Sequence, residues 1–397
     1  MRFAFQHSVL IATWSLVAIL TMTVHGPAEN LSRKTAPAYI LIDQGVVGPP
    51  PGQSMYVTSN GLVSLAAAGS DGREHAYLWF AGLKLEIGRP GLGGKNAVPF
   101  NVNRRIQAVG QADTGTPDPL GEDFCGFGVM GYHSTTTCQA FLWQGGRMTA
   151  LPTLGGNNGV ANFINKHGVI VGQAETKVPD PNCPAPQKLQ FKAVKWTDGK
   201  AEALPNYGSD FDGLAIGMND KGHAVGASGD CTVFNQLSFI NLQPLHALLW
   251  EDGSARDLGN LGGDGHGVGN LAYGINNKDE VVGTSDIPGN ASFHAFLWTK
   301  QTLIHDLGTL DGDFASVGLA INDAGDITGV SLDQNFGSRA FLYRDGKMYD
   351  LNSMISTNSS LALWTASSIN SSGEIVGLAQ DKKTGEFHGY LLIRRQR

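Results

Sequence analysis

The sequence predicts an all-β fold, a seven-bladed β-propeller of four-stranded antiparallel blades. Three observations predict it. A unit of about fifty residues recurs seven times, each unit holds four short runs rich in β-branched and aromatic residues, and Gly, Asn and Asp separate the runs. The chain has 397 residues, 53 glycines and 42% hydrophobic side chains, so it can bury a large core and make many tight turns.

The first run of each unit ends in a hydrophobic residue followed by Asn. We expect this run to be the innermost strand, because small residues such as Ala320 and Ala366 fit where seven strands crowd one axis. The Asn then opens a tight turn, since its side chain accepts hydrogen bonds from the amides that follow it. The pairs are Val102-Asn103, Ile164-Asn165, Met218-Asn219, Ile275-Asn276, Ile321-Asn322 and Ile369-Asn370, with Ser59-Asn60-Gly61 as a degenerate first copy.

The third run reads HAFLW in the fifth unit, from His294 to Trp298, and recurs in variants. We expect it to be apolar on both faces because each blade packs between two neighbours, with the Trp in the core between blades. Third strands lie about 10 Å outward of the innermost ones, so their first side chains cannot converge on one metal ion. We interpret these side chains as hydrogen-bonding partners of the incoming loop. They are His75, Gln139, Lys192, His246, His294, Arg339 and His388.

The two ends of the chain predict how the ring closes. The last unit stops after its third run, at residues 388–393, and an orphan strand at residues 39–43 resembles the missing fourth. Pairing these two segments would leave no free strand edge at the seam. We expect one propeller domain over residues 29–397, with blades at about 52–88, 97–154, 160–207, 213–261, 270–310, 316–354 and 363–393 plus 38–44.

The N-terminus has one early positive charge at Arg2, an apolar run over residues 8–24 and small residues up to Ala28. This pattern predicts a secretory signal peptide over residues 1–28, with an uncleaved membrane anchor as the alternative. We expect a secreted or periplasmic protein that is a monomer and is not inserted in a membrane after signal cleavage. The net charge of -7 argues against nucleic acid as a partner.

Four cysteines, Cys125, Cys138, Cys183 and Cys231, occur without a CxxC pair or zinc spacing. An even number in a secreted chain favours two disulfides over a metal site or a reactive thiol. Three pairings are possible. We expect Cys125 to pair with Cys138, which lies in the same loop, and Cys183 to pair with Cys231, because their loops are on adjacent blades.

The phrases HAFLW, DLGTL and AxxINxxGxVVGxS resemble the extracellular repeat proteins named for their His-Ala-Phe triplet, the HAF-repeat family. The resemblance covers nearly the whole chain after the signal, and its motifs are specific as a set. It implies a secreted, bacterial repeat protein of undefined activity and brings no catalytic residues. The strand order is similar to the WD40 plan, but the Trp-Asp pair and the structural histidine of that plan are missing, so only its geometry is used.

In this strand order, the loops between second and third strands share one face of the disc with the connectors between blades. Three of these loops are long, over residues 111–137, 173–190 and 227–245, and they hold all four cysteines, so we expect them to form a ligand face. The connectors are rich in Asp and Gly, which suits Ca²⁺, but none has the full calcium-loop spacing. The ligand-face candidates on them are Asp210, Asp212, Asp264, His266, Asp311 and Asp313.

No GxSxG, HExxH or phosphate-loop motif occurs, and the acid pairs Glu122-Asp123 and Asp210 with Asp212 have no recognisable partner base. We therefore assign no catalytic, cofactor-binding or metal-binding residue. The sequence favours a binding module for an extracellular glycan or protein over an enzyme. Two alternatives stay open: a polysaccharide hydrolase or lyase on a propeller scaffold, and a structural protein of the cell envelope. A central cleft on the face of the long loops, with two or more acids and an aromatic platform, would favour the enzyme.

Overall fold

The computed structural model describes residues 39–47, 55–69, 71–89, 91–127, 134–231 and 243–395; the predicted signal peptide lies outside these ranges. Seven antiparallel sheets, one for each repeat, are the blades of a ring. In six of them four strands follow one another in chain order from the axis outward, as predicted. The seventh sheet also takes a strand from the other end of the chain. The prediction of a seven-bladed β-propeller is confirmed.

The strands, numbered along the chain, are as follows. They are β1 (Tyr39–Val46); blade 1, β2 (Tyr56–Val57), β3 (Val63–Ala68), β4 (Glu74–Phe80) and β5 (Leu83–Glu86); blade 2, β6 (Ala97–Val102), β7 (Ala108–Pro117), β8 (Thr136–Gln144) and β9 (Arg147–Ala150); blade 3, β10 (Gly155–Ile164), β11 (Ile170–Pro179), β12 (Leu189–Thr197) and β13 (Lys200–Ala203); blade 4, β14 (Asp212–Met218), β15 (Ala224–Asp230), β16 (Gln243–Glu251) and β17 (Ser254–Asp257); blade 5, β18 (Leu271–Ile275), β19 (Val281–Asp286), β20 (Phe293–Thr299) and β21 (Leu303–Asp306); blade 6, β22 (Ala315–Ile321), β23 (Ile327–Leu332), β24 (Ser338–Arg344) and β25 (Lys347–Asp350); blade 7, β26 (Leu361–Leu363), β27 (Ser368–Ile369), β28 (Ile375–Asp381) and β29 (Phe387–Arg394).

Helical structure in the described part of the chain is limited to short segments: an α-helical turn, α1 (Phe124–Phe127), and two 3₁₀ segments at Pro288–Asn290 and Leu351–Met354. None of these segments has the length and apolarity that a membrane span requires.

The ring closes through its two ends. Strand β1 pairs antiparallel with β29 from Tyr39 opposite Arg394 to Val46 opposite His388, so the N-terminal strand is the outermost strand of blade 7. This confirms the predicted closure. The innermost strand of blade 7 is broken in two, because β26 and β27 both pair with β28 and residues 364–367 lie between them. At this break Trp364 packs edge-on against Phe387, with ring centroids 4.8 Å apart.

The tryptophans that end the third strands lie in the core between blades, as predicted. Trp196 and Trp298 are almost wholly buried, at 1% and 2% exposure. Trp196 packs against residues of blade 2, and its indole Nε1 donates to the carbonyl of Pro152 at 2.7 Å. Trp250 packs on blade 3 and donates to the carbonyl of Pro205 at 2.6 Å. Each indole ring is thus buried among apolar residues while its N–H group is hydrogen-bonded, and the two contacts together hold adjacent blades in a fixed arrangement.

The recurring Asn residues do more than open turns. In each of six copies the Asn side chain accepts from the amides two and four residues later, as in Asn276, whose Oδ1 accepts from Lys278 and Glu280. Its Nδ2 also donates to the backbone carbonyl of the equivalent Asn on the next blade, here Asn322, at 3.0 Å. We call these six bonds between blades the amide ladder; its donors are Asn103, Asn165, Asn219, Asn276, Asn322 and Asn370.

Blade 1 breaks the amide ladder. The sequence alignment places Asn60 at the ladder position, and this is wrong, because Thr58 occupies it. The carbonyl of Thr58 accepts from Asn370 at 2.8 Å, and its Oγ1 accepts from the amide of Leu62 at 3.0 Å. The hydroxyl of a threonine can accept the hydrogen bond of the turn, but a threonine has no side-chain NH₂ group to donate to the carbonyl on the next blade. The ladder therefore has one gap, between Thr58 and Asn103.

Candidate functional site

The histidines of the third strands pair with acids. Nδ1 of His294 lies 2.9 Å from Oδ2 of Asp306, at the end of the fourth strand of the same blade. Burial alone would raise the pKa of Asp306, but hydrogen bonds from His294 and from the amide of Gly308 hold it below its usual value. Equivalent cross-strand pairs are His75 with Glu86, Arg339 with Asp350, and His388 with Asp43. The pair that looks catalytic in one copy is a repeated link between strands.

The predicted loop partner of these side chains is correct in only some copies. His75 contacts Asp71 of the incoming loop at 3.0 Å in addition to its fourth-strand acid. His246 pairs with Asp210 of the preceding connector at 2.8 Å, and that hydrogen bond raises the pKa of His246. In the described copies these third-strand side chains mainly hold the outermost strand, because they pair with an acid of that strand more often than with the incoming loop.

The six predicted ligand-face residues do not form one site. They lie on three separate connectors, and most of them are held by local contacts. Asp212 is fully buried, and Asp313 is ion-paired with Arg339 at 2.7 Å. Asp210 accepts from Ser228 as well as from His246. Asp264 is exposed and accepts from Asn290 and from the amide of His266, which is also exposed, and Asp311 lies exposed on the next connector.

The long loops of blades 2 to 4 make the most unusual surface of the described structure. Strands β7 and β11 each have ten residues, whereas β3, β19 and β23 have six. The four extra residues of each second strand lie opposite two extra residues of the third strand, across a bulge, so each hairpin is about 7 Å longer, and Pro117 and Pro179 are still paired with their partner strands. We call residues 113–127, 134–138, 173–190 and 229–231 the loop wall.

Both predicted disulfides are present in the loop wall. Cys125 is bonded to Cys138 within the blade 2 loop, with a Cα–Cα distance of 5.6 Å. Cys183 is bonded to Cys231, with a Cα–Cα distance of 4.6 Å, and this bond joins the loops of blades 3 and 4. The carboxylate of Asp180 lies within 4.8 Å of those two sulfurs. Because the sulfurs are bonded to each other, this cluster is a covalent link between blades.

A buried carboxylate joins the loops of blades 2 and 3. Oε1 of Glu122, in the blade 2 loop, accepts from the amides of Lys188 and Leu189 in the blade 3 loop, at 2.7 and 2.8 Å. Burial raises the pKa of Glu122, although these two amides oppose the shift. Glu122 is therefore a structural acid of the loop wall and not an exposed general acid.

Glu175 lies beside Glu122 and is fully buried. Its carboxylate accepts from the amides of Asn157 and Asn158 at 3.0 and 2.9 Å, and from Nε2 of Gln187 at 2.9 Å. Burial raises the pKa of Glu175 to about 7, and the nearby charge of Glu122 adds to the shift. This acid is thus protonated in the folded chain at mildly acidic pH.

A second buried pair joins blades 3 and 4. Asp212 accepts from the amides of Phe191 and Cys231, at 3.0 and 3.3 Å, and shares a side-chain hydrogen bond with Asp180. Burial, followed by the charge of Asp180, raises the pKa of Asp212 to about 8. The two carboxyl groups share a proton, so this predicted ligand residue belongs to the foundation of the loop wall.

The axis of the ring holds two connected cavities. The first, of about 400 Å³, lies on the face of the turns and is lined by the residues that follow the ladder positions. We call it the mouth. Lys166 and Asp220 form an ion pair at 3.0 Å, and Asn277 donates to Asp323 at 2.9 Å. The described lining of the mouth has two cationic side chains, Arg104 and Lys166, and two acids, Asp220 and Asp323, so its formal charges balance.

The second cavity, of about 330 Å³, lies deeper along the axis, and we call it the chamber. Both cavities are lined by Tyr56 and Phe163, whose rings meet edge to face across the axis with centroids 5.4 Å apart. Burial raises the pKa of Tyr56 to about 12, and Asp220 and Asp323 at the mouth add to the shift. This aromatic pair marks the boundary between mouth and chamber.

The lining of the chamber differs from blade to blade. Small residues at the axis are the sequence prediction, and it is correct for Ala320 and Ser367 but wrong for most blades. Three residues before the ladder position, each innermost strand contributes a different side chain. In order of blades these are Met55, Phe100, Asn162, Ile216, Tyr273, Leu319 and Ser367. The axis is therefore mainly apolar and aromatic, with a few amides and hydroxyls.

Among the described residues, those that line the chamber include no carboxylate and no cationic side chain. Glu122 and Glu175, two acids of the loop wall, are buried away from solvent. The chamber therefore has the aromatic platform that a polymer-cleaving propeller would use, whereas the two acids on the axis, Asp220 and Asp323, line the mouth on the face opposite the loop wall.

One chamber residue was missed by sequence reasoning. Gln111 is 1% exposed and lines the chamber, and neither atom of its side-chain amide has a hydrogen-bond partner. The signal that could have found it is positional: only blades 2 and 3 have Gln at this place in the second strand, at Gln111 and Gln173.

Fold and site together define a seven-bladed β-propeller with a one-sided loop wall and an uncharged axial chamber. The structure is similar to the β-propeller domain of the Trilobed protease from Pyrococcus furiosus, with 10% identity, a TM-score of 0.52, and coverage of 91% of this chain and 96% of that chain. It is also similar to the acylaminoacyl peptidase of Pyrococcus horikoshii, with 11% identity, a TM-score of 0.50, and coverage of 89% of this chain.

The matched region is 54% of the Pyrococcus horikoshii peptidase, so the chain spans about half the length of that protein. At these identities the likeness shows the propeller fold alone. No family model matches the sequence, and no curated protein matches it.

Proposed function

We propose that this chain is a secreted binding module of the HAF-repeat type, a monomer that holds an extracellular glycan or protein against the loop wall. The observation that supports the proposal is the wall itself. Three long loops on adjacent blades are joined by a disulfide, Cys183 to Cys231, and by the buried carboxylate of Glu122. Loops that only connect strands need no such cross-links, as the short loops of blades 1, 5 and 6 indicate.

The cross-links favour binding for an energetic reason. A flexible loop loses conformational entropy when a partner orders it, and that loss reduces affinity. The loop wall has little of this entropy left to lose, because each loop is tied to the next by covalent or buried polar contacts. A surface ordered in advance in this way retains more of its contact energy as affinity.

The exposed residues of the loop wall and of the connector beside it are suited to contact with a partner. Leu120 and Val178 are 37% and 42% exposed on the loops of blades 2 and 3, and Tyr207 is 40% exposed on the connector before blade 4. Apolar and aromatic side chains with polar surroundings are typical of interface centres. The two disulfides support a location outside the cytoplasm, since such bonds persist in oxidising compartments.

The test is a glycan and peptide array probed with the purified chain, once with Ca²⁺ and once with EDTA, because Asp264 and Asp311 are exposed acids. The wall variant combines Leu120→Asp and Val178→Asp. The control is Phe336→Asp, which changes a residue that is 52% exposed on the short loop of blade 6, on the same face.

We expect at least one probe to bind, the wall variant to weaken it by about tenfold or more, and Phe336→Asp to leave it unchanged. Circular dichroism melts of both variants check that the fold is kept. The proposal is wrong if no probe binds, if both variants weaken binding equally, or if a bound polymer is cleaved. Cleavage would favour the hydrolase or lyase instead.

A further inference from the structure

We propose that the chamber is a second binding site, for one ring of an uncharged sugar, and that Gln111 provides its central hydrogen bonds. This site is separate from the loop wall and goes beyond the function proposed for it. The inference rests on three observations: a buried amide without a hydrogen-bond partner, the presence of other residue types at the same position in most other blades, and the uncharged lining of the chamber.

The unpartnered amide of Gln111 is the first observation. A buried polar group without a hydrogen bond costs about 1 to 3 kcal/mol relative to one that is paired. Gln111 is 1% exposed, and both Oε1 and Nε2 lack partners while its side chain lines the chamber. A ligand group with one donor and one acceptor side by side would satisfy both atoms at once.

The second observation is that the fold does not require Gln at this position. Gln111 lies in the second strand of blade 2, opposite Ala140 of the third strand. In every blade a small residue takes the place of Ala140, directly after the third-strand His or its substitute, and the second-strand residue opposite it is the equivalent of Gln111. The equivalents in the other blades, in chain order, are Ala66, Gln173, Ala227, Thr284, Val330 and Leu378. Five of these six positions thus hold a small or apolar residue, which packs there without an amide to satisfy.

The third observation is the chemistry of the chamber lining. The described lining carries no ionised group, and burial raises the pKa of Tyr273 to about 12, so that this phenol stays neutral. A charged ligand would lose its hydration without gaining a countercharge. A neutral ligand avoids this cost.

The polar and apolar groups of the chamber are distributed in a way that suits a sugar ring. Amides of Gln111, Gln173 and Asn162 lie on the side of blades 2 and 3, and Ser367 lies on blade 7. Aromatic rings such as Phe100 also line the chamber. A sugar has polar groups around its rim and an apolar C–H face, whereas a flat aromatic amide has polar groups at one end only. The volume of about 330 Å³ is at the small end of ligand pockets, so it suits one or two rings.

The test uses N-acetylglucosamine, whose acetamido group matches the Gln111 amide, and glucose as neutral probes. Glucosamine and glucuronate are the charged controls, and nicotinamide is the flat neutral amide. Binding is measured by isothermal titration calorimetry and by saturation-transfer NMR on the full chain. The variant is Gln111→Leu, which places the blade 7 residue in blade 2. Gln111→Thr, the blade 5 residue, is the second variant in case the first fails to fold.

We expect a neutral sugar to bind the unaltered chain and to bind Gln111→Leu at least about tenfold more weakly. The melting temperature of Gln111→Leu should be equal or higher, because an unpaired buried amide has been removed. A merely structural glutamine would give the opposite change in melting temperature. Gln139→Leu, which alters a third-strand residue outside the chamber lining, should leave binding unchanged.

Three results would overturn the inference: no neutral sugar binds at tens of millimolar, the charged sugars or nicotinamide bind as well as the neutral ones, or Gln111→Leu and Gln111→Thr bind like the unaltered chain. The wall variant, Leu120→Asp with Val178→Asp, should retain chamber binding. Failure of the loop wall proposal and failure of the chamber proposal are therefore distinguishable.

Discussion

The amide ladder predicts that Asn103→Asp weakens the ring. Asn103 is 5% exposed, and its Nδ2 donates to the carbonyl of Asn165 on blade 3 at 3.1 Å and to Oε1 of Gln107 at 2.8 Å. Its Oδ1 accepts from the amides of Arg105 and Gln107. An aspartate of the same shape keeps the acceptor and so keeps the turn. It removes the donor that joins blade 2 to blade 3.

The magnitude follows from these contacts. Loss of one hydrogen bond costs about 1 kcal/mol, and a carboxylate oxygen facing a buried carbonyl adds about 1 to 3 kcal/mol, so we expect a loss of about 2 to 4 kcal/mol at pH 7. Urea unfolding followed by circular dichroism measures it, with an unchanged slope showing that the folded state is still compact. At pH 4 the aspartate carries a proton that can be donated, so the difference from the unaltered chain should shrink.

The matched control is Thr58→Asn, which fills the one gap in the ladder. The new amide can donate to the carbonyl of Asn103, as its counterparts do on the other blades. We expect a gain of up to about 1 kcal/mol. A loss below about 0.5 kcal/mol for Asn103→Asp, together with no gain for Thr58→Asn, would show that the ladder does not stabilise the ring.

Three further predictions concern the loop wall and the repeat. Because Glu175 keeps its proton up to about pH 7 when folded and loses it near pH 4.5 when unfolded, its contribution to the free energy of unfolding should fall by about 3 kcal/mol as pH rises between these values. Glu175→Gln should make the slope in urea titrations shallower by about 1.4 kcal/mol per pH unit, and Asp212, whose pKa burial also raises, should maintain a slope of the same sign. Replacing Cys183 and Cys231 with Ser opens a link across 48 residues and should cost about 4 kcal/mol, measured as a lower urea midpoint. His294→Gln should change stability by less than about 1 kcal/mol, because its pair with Asp306 is partly exposed, and a loss above about 2 kcal/mol would contradict this.

The repeat explains why the overall fold could be predicted from the sequence. Seven copies sample the same structural position with different residues, so the shared features stand out from the rest. The third-strand Trp, as in Trp196, and the ladder Asn, as in Asn276, recur because each blade must bury both faces and close the same turn. The partial seventh copy and the orphan N-terminal strand then fix the closure. The disulfide pairing follows from which loops are adjacent in the ring.

The same repeat could not predict contacts between different copies. The Asn side chain indicates a turn in its own blade, but its bond to the next blade, as from Asn276 to Asn322, depends on how adjacent blades are rotated. Likewise Asp212 has the local pattern of an exposed connector acid. Its burial and its bond to Asp180 arise from a loop of another blade. Sequence reasoning therefore placed Asp212 on an exposed face, whereas it lies beneath the loop wall.

Residue differences at equivalent positions of the seven copies indicate candidate functional residues more specifically than loop length alone. A position that all seven blades must fill for packing tolerates only a narrow set of residues, as the buried alanines of the third strands show for Ala140 and Ala295. Opposite them, five blades keep a small or apolar residue, while blades 2 and 3 carry Gln111 and Gln173. A glutamine at this position costs stability where its amide is unpaired, so the packing of the fold does not explain its presence. The axis beside blades 2 and 3 and the loop wall above blades 2 to 4 depart from the repeat on the same side of the ring. Both proposed binding surfaces therefore lie where the ring departs most from its repeat.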